Sequence, residues 1–237
     1  MNKLIRRGLI FIGFPLILGL GIRQLQDRQY TFISIVLVIL SLICFYYQYE
    51  KKKPKSREIV LLAVMISIVV LGRLLFILTP SFKPTLALII IYGAVFKKTS
   101  GFVCGSLSAF IANFFFGQGP WTPFQMLSCG IIGYFAGVLL DSRKGRDSLQ
   151  FMVGYGILSA VLYSLLMEIW NVIAITGTFN IDRYLASLIA SLPICMIYVV
   201  SNCVFILLLA PVMTKKMKRI KWKYGLCEGG KYEKINE

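Results

Sequence analysis

An all-α integral membrane fold is predicted by three observations: 57% of the 237 residues are hydrophobic, the mean hydropathy is +0.76, and the apolar residues fall into long blocks separated by charge. A soluble domain is about 45–50% apolar. Each block lies near the ~20 residues that a helix needs to cross ~30 Å of hydrocarbon. Such blocks must be helical, because no water is present there to satisfy open backbone groups.

Eight blocks follow one another: residues 8–22, 31–48, 58–78, 84–96, 99–116, 122–140, 149–175 and 184–213. The first follows the basic start Lys3, Arg6 and Arg7 and resembles the opening of a signal peptide. No small-residue cleavage site follows it, and a second apolar run begins soon after, so it reads as a retained anchor helix. The second block has almost no polar residue. Residues 49–56, a charge run with a proline, separate this pair from the rest. The fourth block is short and turns tightly into the fifth. The eighth is longer than a span requires and contains Pro193, which is expected to tilt or kink it. The chain therefore divides into two N-terminal membrane helices with a basic linker (1–56), a six-helix core (57–217) and a basic tail (218–237).

The formal charge is +16. It does not read as a nucleic-acid signal, because the basic residues sit between the apolar blocks. With the N-terminus inside, the inner segments hold 21 of the 26 Lys and Arg residues. The outer loops hold Arg23, Arg28, Lys83 and Arg183, and Arg73 lies within a span. Positive charge stays in the cytoplasm, so both termini are expected there, in a multi-pass protein of the cell membrane. The segment 215–223, with Trp222, is expected to lie on anionic lipid.

Several chemistries are excluded. There is no histidine, hence no His-based triad or zinc site. The six cysteines form no CxxC pair and read as small packing residues, so no metal and no cofactor is expected. No Walker motif is present, so the chain does not itself hydrolyse ATP. No carboxylate pair or nucleophile–base constellation appears, and no enzymatic activity is expected.

Four features could carry function. The first is residues 113–126 at an outer end, where glycines and prolines set a stiff turn. There Asn113, Gln118, Trp121 and Gln125 offer amides and an indole beside aromatic walls, a mixture suited to a small organic ligand. An interfacial turn with an aromatic belt is the plainer alternative. The second is Arg73 and Glu168, about 16 and 19 residues into their spans; at 1.5 Å per residue both reach the depth of that turn. Charges within a membrane are costly and usually functional; a mutual ion pair or snorkelling is the alternative. Asn171 follows Glu168 by three residues and is expected on its face. The third is small residues at four-residue spacing: Ala63 and Ser67, Gly101, Gly105 and Ala109, Gly133 and Gly137, Ala186 and Ala190. These suit close helix packing within the protein, or between molecules for Ala63 and Ser67. The fourth is Ser201 and Asn202, placed toward the cytoplasmic side, where Asn202 is expected to hydrogen-bond between helices.

The core resembles the substrate-binding (S) components of energy-coupling factor (ECF) vitamin transporters. The resemblance rests on Arg57 to Val60 and Gly72 to Phe76, on residues 113–126, and on Ser201 to Phe205 followed by Ala210 and Pro211. It covers roughly residues 57–225. It implies a six-helix protein that captures a vitamin or precursor near the outer face. The vitamin is then delivered inward with a transmembrane scaffold subunit and two cytoplasmic ATPases. It also implies that Ala63 and Ser67, standing where the family carries an AxxxA motif, contact the scaffold. The turn looks most like cobalamin-type members; riboflavin and queuosine precursors are the alternatives within the family. The expected ligand residues are Arg73, Asn113, Gln118, Trp121, Gln125, Glu168 and Asn171. A ligand-free membrane scaffold or assembly protein is the competing reading from another class.

Overall fold

The computed structural model describes residues 29–51, 54, 56–140 and 148–226. They form seven helices and no strand. These are α1 (Gln29–Glu50), α2 (Ser56–Leu75), α3 (Thr85–Phe96), α4 (Lys98–Phe116), α5 (Thr122–Leu139), α6 (Leu149–Thr176) and α7 (Ile181–Lys223). They correspond to the second to eighth apolar blocks; the first block lies outside the described residues. Five helices, α2 and α4 to α7, are long and apolar enough to cross a membrane. The protein is thus an all-α integral membrane protein.

The helix α3 explains the short fourth block. It has 12 residues, about 18 Å at 1.5 Å per residue, too few to span a bilayer alone. Every residue from Leu86 to Val95 is buried. A helix apolar on all sides belongs at the centre of a bundle, and α3 is that centre. The Lys221 ammonium, from the end of α7, donates to the Val95 carbonyl and so satisfies one orphan acceptor at the end of α3. A single residue, Lys97, joins α3 to α4 with φ 75° and ψ 171°. That region is nearly confined to glycine, so the junction is strained.

The small-residue stripes on α4 and α5 close these helices onto each other. A Cβ on Gly133 would collide with the Gly101 carbonyl, and one on Gly101 with the Gly133 carbonyl. Gly105 meets the Cys129 carbonyl in the same way, and Gly137 meets the Lys97–Lys98 backbone. Packing within the protein is therefore the role of these glycines. By contrast, Ala186 and Ala190 on α7 are exposed.

The helix α1 packs on this pair. Its buried residues Val38, Leu42 and Phe45 fall on one helical face. The Phe45 ring stacks on Phe102 with centroids 3.9 Å apart, and the Tyr46 and Ser106 hydroxyls are 2.8 Å apart. On the other side, α6 is fixed to α5 by the Tyr155 hydroxyl, which donates to the Ile132 carbonyl at 2.7 Å. It is fixed to α7 by Asn202, whose amide donates to the Gly156 carbonyl at 2.9 Å and the Ser159 hydroxyl at 3.2 Å. Asn202 thus bridges two helices, as its place in an apolar block predicts.

The helix α7 runs unbroken through Pro193 and Pro211 for 43 residues. Its first half is largely exposed, while Ser201, Asn202, Phe205 and Ile206 are buried. Ser201, expected toward the cytoplasmic side, meets a loop expected on the outer side. Its hydroxyl bonds the backbone of Lys83, in the loop between α2 and α3 that was assigned to the outer side. Because α3 is short, that loop lies opposite the middle of α7 rather than its end.

Candidate functional site

The turn after α4 is organised by Thr122. Its hydroxyl donates to the Gln118 side-chain oxygen at 3.0 Å. It accepts the Asn113 amide at 3.2 Å and the Gly119 N–H at 3.2 Å. Gly117, at φ 100°, supplies the left-handed backbone that the turn needs. Gln118 also donates to the Phe110 carbonyl at 3.0 Å, so its amide braces the turn onto α4. The Trp121 indole lies across Gly119, where a Cβ would displace it, and remains 40% exposed.

From Asn113 a chain of polar groups leads across the bundle. The buried Asn113 amide donates to the Gln125 oxygen at 2.8 Å, and the Gln125 amide donates to the Tyr163 hydroxyl at 3.0 Å. The Tyr163 ring meets Tyr198 edge-on at 5.3 Å. The Tyr198 hydroxyl lies near the Ser81 side chain, in the α2–α3 loop. Arg73 of α2 joins this group through the Phe116 ring, whose centre lies 4.5 Å from its guanidinium. Helices α2, α4, α5, α6 and α7 and the loop 76–84 thus each contribute a side chain to one belt.

The loop 76–84 is held tightly. Ser81 has φ 61°, and the Phe82 N–H donates to the Pro80 carbonyl at 2.8 Å, which makes a γ-turn of the rare positive-φ kind. The Phe82 ring packs against Phe76 and Phe205 at 6.2 and 5.2 Å. The Ser201 hydroxyl holds both backbone groups of Lys83. Beyond this anchor, the Lys83 ammonium lies 4.6 Å from the centre of the Phe116 ring, and the Arg73 guanidinium lies 4.5 Å from the same centre. Burial and then the nearby Arg73 charge push the Lys83 ammonium below the ordinary lysine range.

Of the residues expected at a site, Arg73, Asn113 and Gln125 are brought into this belt. Gln118 and Trp121 shape the adjoining turn. Glu168 stands elsewhere: it is buried, and the Ser187 hydroxyl donates to its carboxylate. No ion pair joins it to Arg73 among the described residues, so that alternative is set aside. Asn171 is exposed while Glu168 is buried, so the shared face expected for the two is corrected. At three residues the angular offset is about 60° at 3.6 residues per turn, enough to move Asn171 out of the packed face. Ala63 and Ser67 are exposed on α2, beside Val60, Val64 and Ile68.

Tyr163, Tyr198, Ser81, Lys83 and Phe116 complete the belt without having been singled out. Tyrosines within apolar blocks read as core, and Lys83 reads as one more outer-loop charge. The usable signal was polar: a hydroxyl within a span needs a partner.

A family model described as "ECF-type riboflavin transporter, S component" matches residues 53–219. No curated protein and no solved structure matches the chain.

Proposed function

The chain belongs to the ECF-type riboflavin transporter S-component family, and from that premise we propose that riboflavin is the vitamin it captures. The protein is the substrate-binding membrane subunit of an ECF transporter, a family whose members work with a scaffold subunit and ATPases. We assign capture to the belt formed by Arg73, Asn113, Phe116, Gln125, Tyr163 and Tyr198. The observation that carries this reading is the linked chain Asn113–Gln125–Tyr163 beside Phe116 and Arg73.

The chemistry of that belt suits a flavin. An isoalloxazine ring is flat and largely apolar, with an edge that alternates carbonyl acceptors and an N–H donor. Aromatic side chains offer it stacking surfaces, and carboxamides offer both a donor and an acceptor. The exposed Trp121 indole on the outer turn is placed in the proposal as a further wall over the ligand. In this reading Glu168 and Asn171 lie outside the ring-binding groups, toward the C-terminal end of α6. The exposed face of α2 with Ala63 and Ser67 is the proposed contact for the scaffold. Residues 57–217 are the proposed transport core, with both termini in the cytoplasm as the charge asymmetry supports.

The test is a titration of the purified protein in nanodiscs, read by quenching of flavin fluorescence, with cobalamin run in parallel. Saturable one-to-one riboflavin binding supports the reading. Cobalamin binding without riboflavin binding keeps the subunit's role and replaces the vitamin by the one the turn sequence favours.

A further inference from the structure

The helix α1 (Gln29–Glu50) lies wholly before residue 53, where the family match begins. A helix added to a transport core stands in one of two relations to it. It is a tether past which the core moves, or a member that moves with the core. Burial of apolar residues does not decide between them, because lipid tails are as apolar as the protein. Helices in a bilayer are held together by close packing and by hydrogen bonds. The seat of α1 has both.

Phe45 reaches two helices at once. Its ring stacks on Phe102 of α4, with centroids 3.9 Å apart and planes at 14°, and stands edge-on to Tyr134 of α5 at 5.6 Å. Against the same Phe102 ring lies Gly130 of α5, where a Cβ would come within 2.7 Å of it. Phe102 is thus enclosed by α1 and α5, and 0% of it is exposed. One residue on, the Tyr46 and Ser106 hydroxyls are 2.8 Å apart. Ser106 gives its own proton to the Phe102 carbonyl at 2.9 Å, so Tyr46 is the donor to Ser106. Were α1 to leave, Phe102 would face lipid and the Tyr46 hydroxyl would lose its acceptor, a costly change in hydrocarbon. Leu42 and Val38, buried on the same face, extend the seat by about 10 Å toward the start of α1, at 1.5 Å per residue.

We infer that α1 is a permanent member of the vitamin-binding unit, seated on α4 and α5 throughout transport and closing that face of the bundle to the scaffold subunit. The α4–α5 pair carries Asn113, Gln125 and the turn between them, so α1 braces the helices from which the candidate site is built. The inference rests on the transport role and not on which vitamin is carried.

Two measurements on the full chain test it. In thermal unfolding in detergent, Phe45→Ala and Phe102→Ala are each expected to lower the melting temperature by about 5 °C or more, and the double variant to lose less than the sum. An unchanged melting temperature in Phe45→Ala, or strict additivity of the two, makes α1 a tether and overturns the inference. For the second measurement, Tyr46→Cys and Ser106→Cys are combined with Cys44→Ala, Cys195→Ala, Cys203→Ala and Cys227→Ala, while the buried Cys104 and Cys129 are kept. A short bis-methanethiosulfonate reagent joins positions 46 and 106, and reductant frees them. The protein is reconstituted with the scaffold and ATPase subunits, and riboflavin uptake is compared before and after reduction. Equal rates are expected, because the lock only fixes what is already seated and the scaffold has no need of the face beneath α1. Uptake that is stopped by the lock and restored by reduction shows that α1 must part from α4, and overturns the inference. So does failure of the two thiols to cross-link, since they are then not neighbours. If the native chain takes up no riboflavin under the same conditions, the riboflavin reading falls, and the unfolding measurement decides this inference.

Discussion

The Ser201 hydroxyl satisfies both backbone groups of Lys83: it donates to the carbonyl at 2.9 Å and accepts from the N–H at 3.0 Å. One side chain in the middle of α7 thereby fixes a loop 118 residues earlier in the chain. Replacing Ser201 by Ala removes both bonds and leaves a partly buried peptide unit without partners. The expected cost is about 1–3 kcal/mol, seen as a lower melting temperature in detergent. Ligand affinity should fall as well, because Ser81 and Lys83 lose their anchor. An unchanged melting temperature would mean that the Phe82 packing alone holds the loop.

The amide of Gln125 stands between Asn113 and Tyr163. In Gln125→Leu each neighbour loses its partner, and flavin affinity should drop by at least tenfold, equivalent to about 1.4 kcal/mol. Asn171→Ala, an exposed position on α6, should change the same affinity by less than about twofold. Equal losses in the two variants, measured by the same titration, would move the ligand toward the α6–α7 end.

The contact between α4 and α5 leaves no room for a side chain at Gly133. A methyl group there must push the Gly101 carbonyl away, and Gly133→Ala is expected to destabilise the fold by about 1–3 kcal/mol. Gly154 on α6 is the comparison, since nothing stands within 4 Å of a Cβ built on it. Gly154→Ala should stabilise by about 0.5–1 kcal/mol, through helix propensity alone. Thermal unfolding of both variants checks the pair; similar effects would show that backbone freedom, not collision, governs these sites.

Ala63 lies exposed on α2, and Ser67 one turn later returns its hydroxyl to the Ala63 carbonyl at 3.0 Å. The surface there stays low and its polar atom is already satisfied, which suits a close helix partner. Ala63→Leu should leave flavin affinity unchanged and abolish uptake in cells that also express the scaffold and ATPase subunits. Persistent uptake would place the scaffold on another face.

Most of the helices were legible because a membrane span must be apolar over a fixed length, and charge marks its ends. The glycines at 101, 105, 133 and 137 were legible for a similar reason: their spacing matches the helical repeat. The belt was only half legible. Arg73, Asn113 and Gln125 are polar groups in apolar surroundings and stand out. Tyr163 and Tyr198 do not, since each carries a ring suited to a core and a single hydroxyl. The meeting of Ser201 with Lys83 was not legible, because residue counting along α7 assumes that the loops lie level with the helix ends. The shortness of α3, visible in the sequence, was the clue that one of them does not.

The two prolines of α7 have a mechanical consequence. Each lacks the backbone donor that would close its turn, so bending compliance collects at residues 193 and 211. Between these joints lie Tyr198, Ser201, Asn202 and Phe205, which reach Tyr163 and Ser81, Lys83, Gly156, and Phe82 respectively. The middle of α7 is therefore a crankshaft journal with a bearing at either end. Turning it would carry the loop, both tyrosines and the Lys83 ammonium together, while the exposed N-terminal arm and the basic C-terminal arm stay where their surroundings hold them.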